Sequence, residues 1–294
     1  MKRQTITGYL FILPIVTLFL AFIVYPVGYN IVISLYEWNG IDIQKKFLGL
    51  VNYGNLLQDK VMILATKNFI IFALITITVQ ALLGLFFATI LRNKIRFSQV
   101  YRTLIYLPII ATPAIVGQIF SKIFEPNRGY LNAMLRAVHL EDLCQQWLAN
   151  PKTALGCVLF VNIWQWTGYS MLLYYTNMLN ISDDVYEAAR IDGAGSFQQF
   201  VKITFPLLRG THYTIFIMGM IGSLKTFDIP YVLTSGGPNH ATEFFSTYIY
   251  TKSFNEFQQG EASAIVVMML LIAMIITAVQ LRFYYRNDKD KELA

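Results

Sequence analysis

A polar and aromatic group interrupts the apolar stretch Thr153–Met178. At helical spacing Asn162, Trp166 and Tyr169 fall at positions i, i+4 and i+7, so one helix face carries all three side chains. Amides can hydrogen-bond the hydroxyls of a sugar, and flat rings can cover the apolar C–H faces of its ring. The same residues, with Gln165 between them, could instead join helices to one another or hold a helix at a membrane interface.

A second chemical pattern lies in the polar segment 182–206, between two apolar stretches. Ser182, followed by two acidic residues, predicts a helix start, because short polar side chains cap the first backbone N–H groups and acids favour that end. The turn Gly193–Gly195 predicts the end of this helix. Ser196 and Gln199 have the spacing of a capping box, which predicts a second helix. Helices this short are not stable alone in water, so we expect another surface to pack on them.

The charge of this segment bears on what that surface is. An amphipathic segment lying on lipid is one interpretation. The segment carries Asp183, Asp184, Glu187 and Asp192, however, and cytoplasmic lipid surfaces attract basic segments. A protein partner therefore fits the charge better than a membrane surface does.

The composition is that of a membrane protein. Of 294 residues, 55% are hydrophobic and only 14% are charged, whereas soluble domains carry about 25% charged residues. Several uncharged apolar runs are long enough to cross a bilayer, and they lack the period-two alternation of a membrane barrel. Since lipid leaves no water for backbone groups, these runs must be helices. The sequence predicts an all-α membrane protein with six transmembrane helices: Gly8–Leu35, Asn68–Leu91, Val100–Phe124, Thr153–Met178, Leu207–Asp228 and Ala262–Leu281.

Basic residues set the predicted orientation. They concentrate in the terminal segments and in the turn from Arg92 to Arg102, so the positive-inside rule predicts cytoplasmic N- and C-termini and a cytoplasmic segment 182–206. Lys2 and Arg3 also precede the first apolar run, as in a signal peptide. That run is much longer than a signal core, so we predict an uncleaved span. The net charge of +6 follows from this topology and requires no nucleic acid.

Several chemistries are missing from the sequence. It has no G-x-x-x-x-G-K-[ST] loop for nucleotide phosphates, so we predict that this chain does not hydrolyse ATP. Its three histidines and two cysteines show no metal-binding spacing. No acidic residue lies deep within the predicted spans, as proton-coupled pumps typically require. We therefore predict no enzyme and no cofactor on this chain, which leaves a membrane protein without a visible source of energy.

Four segments resemble motifs of a known family. Glu187–Pro206, which begins EAARIDGA, resembles the EAA motif of permease subunits from binding-protein-dependent ABC importers. Phe47–Tyr53 resembles the FxGLxNY segment, and Leu233–Pro238 the LTxGGP loop, of MalF/UgpA-like sugar permeases. Gly8–Trp38 resembles their first span. The segments occur in order and extend over nearly the whole chain, which makes the set far more specific than an isolated EAA motif.

The resemblance implies a fold, a location and partners. Residues 1–294 would form one type I ABC importer permease domain, multi-pass in the bacterial inner (cell) membrane, with segment 182–206 as its cytoplasmic coupling helix–turn–helix. The implied partners are a second permease of the MalG/UgpE type, two ATPase subunits that bind ATP and Mg, an extracytoplasmic solute-binding protein and the lipid bilayer. The residues implied to dock on the ATPase are Glu187, Ala188, Ala189, Asp192 and Gly193.

Glu187 allows a second interpretation. Asp184 precedes it at capping-box spacing, so its carboxylate could cap its own helix rather than meet a partner. The two roles are not exclusive.

The resemblance also implies a substrate pathway, formed by the span before the EAA segment and the middle of the span after it. Gln165 and Trp166 stand where the maltose permeases carry small or aliphatic residues. A sugar or oligosaccharide is the expected solute, glycerol phosphate or another polyol is the alternative, and a self-contained carrier or channel is the alternative mechanism. The implied pathway residues are Asn162, Gln165, Trp166, Tyr169, Ser223 and Thr226.

Overall fold

The computed structural model describes residues 2–92 and 95–292, and these are mostly helical. Two-residue strands β1 (Tyr36–Glu37) and β2 (Lys46–Phe47) pair in antiparallel orientation. The helices in chain order are α1 (Lys2–Phe19), α2 (Tyr25–Ile33), α3 (Val51–Gln58), α4 (Lys60–Arg92), α5 (Ser98–Tyr106), α6 (Pro113–Ile123), α7 (Tyr130–Ala137), α8 (Pro151–Leu179), α9 (Asp183–Ile191), α10 (Ser196–Gln199), α11 (Phe205–Leu207), α12 (Arg209–Leu224), α13 (Asp228–Thr234), α14 (Phe245–Tyr250) and α15 (Gln259–Glu292).

Three helical stretches in the described part of the chain are long and apolar enough to cross a membrane: Phe11–Ile33, Lys60–Arg92 and Gln259–Arg282. Two bent helix pairs raise the number to five if each pair is one span. The predicted fourth span lies within α8, which has 29 residues but is not among these candidates. Its amide and tryptophan side chains make it less apolar than the others.

The third predicted span is not one helix, which corrects the expectation for Val100–Phe124. Helix α5 ends at Tyr106, a 3₁₀ turn follows, and α6 starts at Pro113 after a bend of 96°. The cause is proline, which cannot donate a backbone hydrogen bond and disfavours helical geometry in the residue before it. Thr112 accordingly takes an extended backbone.

The fifth predicted span, Leu207–Asp228, is also shorter in the structure. Helix α12 ends at Leu224, and α13 begins at Asp228 with a bend of 44° between them. Lys225 and Asp228 therefore lie on either side of a break and do not share one helix.

The chain divides into two compact units, Met1–Ile63 with Tyr248–Met274 and Leu64–Thr247 with Ile275–Ala294. In the first unit, the buried Asn52 side chain donates hydrogen bonds to the Ser34 and Tyr36 carbonyl oxygens, at 2.8 and 3.0 Å. Gly260 packs so closely on Tyr36 that a Cβ there would lie 2.0 Å from its carbonyl oxygen. The FxGLxNY segment thus holds the chain after α2 in place.

A cluster of charged side chains lies between α14 and the start of α15, also in the first unit. The Lys252 ammonium lies 2.9 Å from a carboxylate oxygen of Glu256 and 2.9 Å from one of Glu261, and it donates to the Gln258 side chain at 2.8 Å. Burial alone would lower the pKa of Lys252, but hydrogen bonds and charge from the two carboxylates outweigh burial and raise that pKa above its usual value. The ammonium stays charged, so the cluster fixes the turn between α14 and α15.

Helix α8 organises the second unit. It contributes Val158 to one apolar core with Phe72 of α4 and Phe120 of α6. It contributes Met171 to another core, which α4 and α12 complete. Glycines allow neighbouring helices to approach its backbone: a Cβ at Gly84 of α4 would lie 2.8 Å from the Met171 nitrogen.

Candidate functional site

The N-terminal end of helix α9 forms as the sequence predicts. The Ser182 hydroxyl oxygen accepts a hydrogen bond from the Asp184 backbone N–H at 3.3 Å, which confirms Ser182 as the N-cap. Beyond the last turn Gly193 has φ +80°, a left-handed conformation that glycine adopts without steric cost. Gly193 therefore allows the sharp turn towards the next helix.

The start of the second helix differs from the prediction by one residue. The N-cap is Gly195, not Ser196. The Gly195 backbone N–H donates a hydrogen bond to the Gln198 side-chain oxygen at 3.2 Å. Gln199, which the pattern assigned to the capping box, is buried, and its amide donates to the Ala194 carbonyl at 2.8 Å. Burial of the second glutamine leaves the first one to cap the helix.

One face of α9 is fastened to the rest of the second unit. Tyr186 is buried, and its hydroxyl lies 2.9 Å from the Thr204 hydroxyl. The Arg92 guanidinium, at the end of α4, lies 4.1 Å from the centre of the Tyr186 ring and 3.4 Å from the Asp183 carboxylate. A displacement of α9 would therefore also act on Arg92, at the C-terminal end of the long helix α4.

The other face of α9 is open. Glu187, Ala188, Asp192 and Gly193 are exposed, and Ala189 is half-buried. Within the described residues the Glu187 carboxylate has no hydrogen-bond or ion-pair partner. It also does not cap its helix, because α9 begins at Asp183 and places Glu187 beyond the first turn. The structure therefore removes the capping interpretation of Glu187.

Two large apolar side chains, one on α9 and one on α10, are also exposed. Ile191 is 87% exposed and Phe197 is 79% exposed. Ile191 follows Glu187 at i+4, so the two lie on the same helix face. Ile191 was not among the predicted docking residues, although its helical spacing from Glu187 was a signal that could have found it. We call the surface formed by Glu187, Ala188, Ile191, Asp192 and Phe197 the exposed face of α9–α10.

Of the residues predicted on α8, three are at least partly exposed and one is fully buried. Asn162 is half-buried, and its side-chain oxygen accepts a hydrogen bond from the Gln80 amide at 2.9 Å. Trp166 remains 37% exposed and meets Tyr169 edge to face, with 6.4 Å between ring centres. Gln165 is fully buried, and its amide donates to the Ala111 carbonyl at 2.9 Å, at the bend between α5 and α6.

The two predicted residues on the following span lie near its far end. Ser223 is buried, and its hydroxyl donates to the Gly219 carbonyl of its own helix at 2.8 Å. Thr226 is half-buried in the turn between α12 and α13. Gln80 on α4 was not among the predicted pathway residues, although a glutamine inside an apolar helix is an unusual residue and a signal that could have found it.

Comparisons with known proteins agree with this architecture. Residues 80–291 match the family model for the binding-protein-dependent transport system inner membrane component. The probable ABC transporter permease protein YurN of Bacillus subtilis is 36% identical over 98% of this chain and 99% of its own length. The lactose transport system permease protein LacF of Rhizobium radiobacter is 32% identical over 98% of this chain and 96% of its own.

A solved structure shares the fold. A chain in the crystal structure of a bacterial alginate ABC transporter, in complex with an alginate pentasaccharide-bound periplasmic protein, superposes with a TM-score of 0.83. The match covers 97% of this chain and 96% of that chain at 21% sequence identity, a level that shows the fold alone. Since the family model matches well over half of the sequence, the chain belongs to the family of inner membrane components of binding-protein-dependent transport systems.

Proposed function

We propose that this chain is one of two permease subunits that form the translocation pathway of an ATP-driven importer for a sugar or oligosaccharide. The observation that carries the proposal is the exposed face of α9–α10, an acidic and apolar surface on a helix whose opposite face is fastened to the second unit. Such a surface suits a soluble protein partner. Sugar as the solute is supported by the relative LacF, a lactose permease by name.

In the membrane, the proposed arrangement has six spans of the type I importer kind. Helix α8 would add the sixth span to the five formed by the apolar helices and the two bent pairs. Both termini and the segment 182–206 would lie in the cytoplasm, where the basic residues concentrate. The membrane would be a bacterial cell membrane.

ATP and Mg would be bound and used on a pair of ATPase subunits rather than on this chain. Glu187, Ala188, Ala189, Asp192 and Gly193 would dock in a cleft of one ATPase, with Ile191 and Phe197 filling its apolar part. Closure of the ATPase pair would push α9, and the contacts of Tyr186 with Thr204 and Arg92 would transmit this push to α12 and α4. The spans would then alternate between outward-facing and inward-facing states.

Solute recognition would use the half-buried side of α8. The Asn162 amide would hydrogen-bond a hydroxyl group, and the Trp166 and Tyr169 rings would cover an apolar sugar face. Thr226, half-buried in the turn after α12, would supply a hydroxyl group from the other side of the pathway, whereas the buried Ser223 hydroxyl, bonded to Gly219, would support α12 rather than touch the solute. Gln165 would act through the bend it holds at Ala111 rather than by touching the solute.

The proposed substrate class can be tested in the assembled transporter. We expect the solute-binding protein to stimulate ATP hydrolysis about tenfold when loaded with its preferred oligosaccharide, because substrate delivery drives closure of the ATPase pair. ATP hydrolysis would be measured in proteoliposomes across a panel of mono- and oligosaccharides, polyols and glycerol phosphate. Stimulation by glycerol phosphate or a polyol, with no response to any saccharide, would replace the sugar assignment with the alternative solute class.

A further inference from the structure

A cavity of about 480 Å³ lies within the second unit, between helices α4, α8 and α12. Its walls are mostly apolar, formed by side chains such as Ile77, Leu82 and Leu85 of α4 and Phe216 of α12. The polar pair at its side is satisfied within the chain. The Tyr174 hydroxyl lies 2.7 Å from the His212 Nδ1, and the His212 Nε2 lies 3.1 Å from the Phe205 carbonyl oxygen.

Arg209 brings a permanent positive charge to this cavity. It is the first residue of α12, it lines the cavity, and it is half-buried. Its guanidinium donates to the Tyr213 hydroxyl at 3.4 Å and lies 5.6 Å from the centre of that ring. Across the described ranges no carboxylate lies within ion-pair distance of it, and none of the residues lining the cavity is acidic.

Arg209 therefore presents a cation without a carboxylate partner at the end of a membrane span, beside an apolar cavity. A ligand that matches both features has to bring a negative charge to Arg209 and apolar groups to the walls of the cavity. A small soluble anion such as phosphate would leave the apolar walls uncovered. A zwitterionic lipid would bring its own cation, which competes with the guanidinium for the phosphate.

We propose that the cavity binds an anionic phospholipid, with the phosphate at Arg209 and one acyl chain along Leu82, Leu85 and Phe216. A guanidinium forms two parallel hydrogen bonds to a phosphate, so the head group is held by geometry as well as charge. The site depends on the chain being embedded in a bilayer. It does not depend on the proposed solute or on docking of the ATPase, and its failure would leave both of those untouched.

Retention of phosphatidylglycerol by the full-length chain tests the proposal. The purified chain would be reconstituted into discs of equal phosphatidylglycerol and phosphatidylcholine, extracted into detergent, and the lipid retained per chain measured by mass spectrometry. We expect phosphatidylglycerol to be retained preferentially. Arg209→Gln should lower its retention about tenfold and abolish the preference, because the ion pair to the phosphate is lost. The matched control Lys202→Gln removes an exposed cation that does not line the cavity, and it should retain phosphatidylglycerol as the parent does.

A second variant keeps the test independent of how Arg209→Gln folds. Ala81→Phe fills the cavity with a ring while leaving the guanidinium in place, and it should also reduce retention. Equal retention of both lipids by the parent chain, undiminished retention in the two cavity variants, or displacement of the lipid by millimolar inorganic phosphate would each overturn the proposal. Loss of the lipid on addition of the second permease subunit would equally overturn it, since the cavity would then be a protein interface.

Discussion

Glu187→Ala is expected to abolish stimulated ATP hydrolysis in the assembled transporter while leaving the chain folded and inserted. The carboxylate is exposed and has no partner within the described residues, so its removal breaks no internal contact, and alanine is the best helix former. Loss of a hot-spot residue near the centre of an interface costs about 2 kcal/mol or more, which corresponds to a loss of about 30-fold in affinity. We would measure the affinity of the purified ATPase for the reconstituted permease, together with hydrolysis stimulated by the loaded binding protein.

The same substitution at another exposed glutamate provides the control. Glu141→Ala removes a carboxylate from the loop between α7 and α8, which is predicted to lie on the opposite side of the membrane, and it should leave ATPase affinity unchanged. Glu187→Gln separates charge from hydrogen bonding, because it keeps one acceptor and loses the charge. An unchanged ATPase affinity and full stimulation in Glu187→Ala would show that Glu187 has no role in docking.

Gly168→Ala is expected to destabilise the permease strongly, because a single methyl group has no room at that position. A Cβ at Gly168 of α8 would lie 2.3 Å from the Ile105 carbonyl oxygen and 2.8 Å from the Tyr106 Cα of α5. Both atoms belong to backbone, so the two helices themselves would have to move apart. Overpacking of this kind costs about 1–3 kcal/mol or more, and thermal unfolding in detergent should show a Tm lower by about 5 °C or more.

Gly156 provides the matched control on the same helix. No atom of another residue outside its own stretch of helix lies within 4 Å of the position its Cβ would occupy, so Gly156→Ala should keep the Tm or raise it, through a helix propensity gain of up to about 1 kcal/mol. Equal Tm values for the two variants would contradict the close approach of α5 and α8. The contrast also explains why a small residue is required at one position of α8 and not at another.

Caps and turns were predicted correctly from the sequence where they depend only on contacts between residues adjacent in the chain. Ser182 caps α9 and Gly193 turns the chain after it, as expected, because both effects depend only on adjacent backbone. The second cap was misplaced because two overlapping patterns were available, Gly195 with Gln198 and Ser196 with Gln199. In the structure Gln199 is buried, so the first pattern forms the cap. Whether a side chain is buried cannot be predicted from four residues of sequence.

Tertiary contacts account for the remaining differences. The break in the third predicted span follows from Pro108 and Pro113, which were visible in the sequence but do not by themselves give an angle of 96°. Gln165 was identified as unusual, but helical spacing could not show that its amide is directed to Ala111. The bond between Asn162 and Gln80 joins positions 82 residues apart, so no local pattern could have predicted it.

Uptake of a labelled oligosaccharide into proteoliposomes tests the central claim most directly. The vesicles would contain this chain with its second permease, with or without the ATPase pair, and the loaded binding protein would be added on the side that corresponds to the cell exterior. We predict uptake only when both the ATPase and ATP are present, and a loss of most of it in Glu187→Ala. Uptake driven by an ion gradient in vesicles without the ATPase would contradict the importer and identify a self-contained carrier.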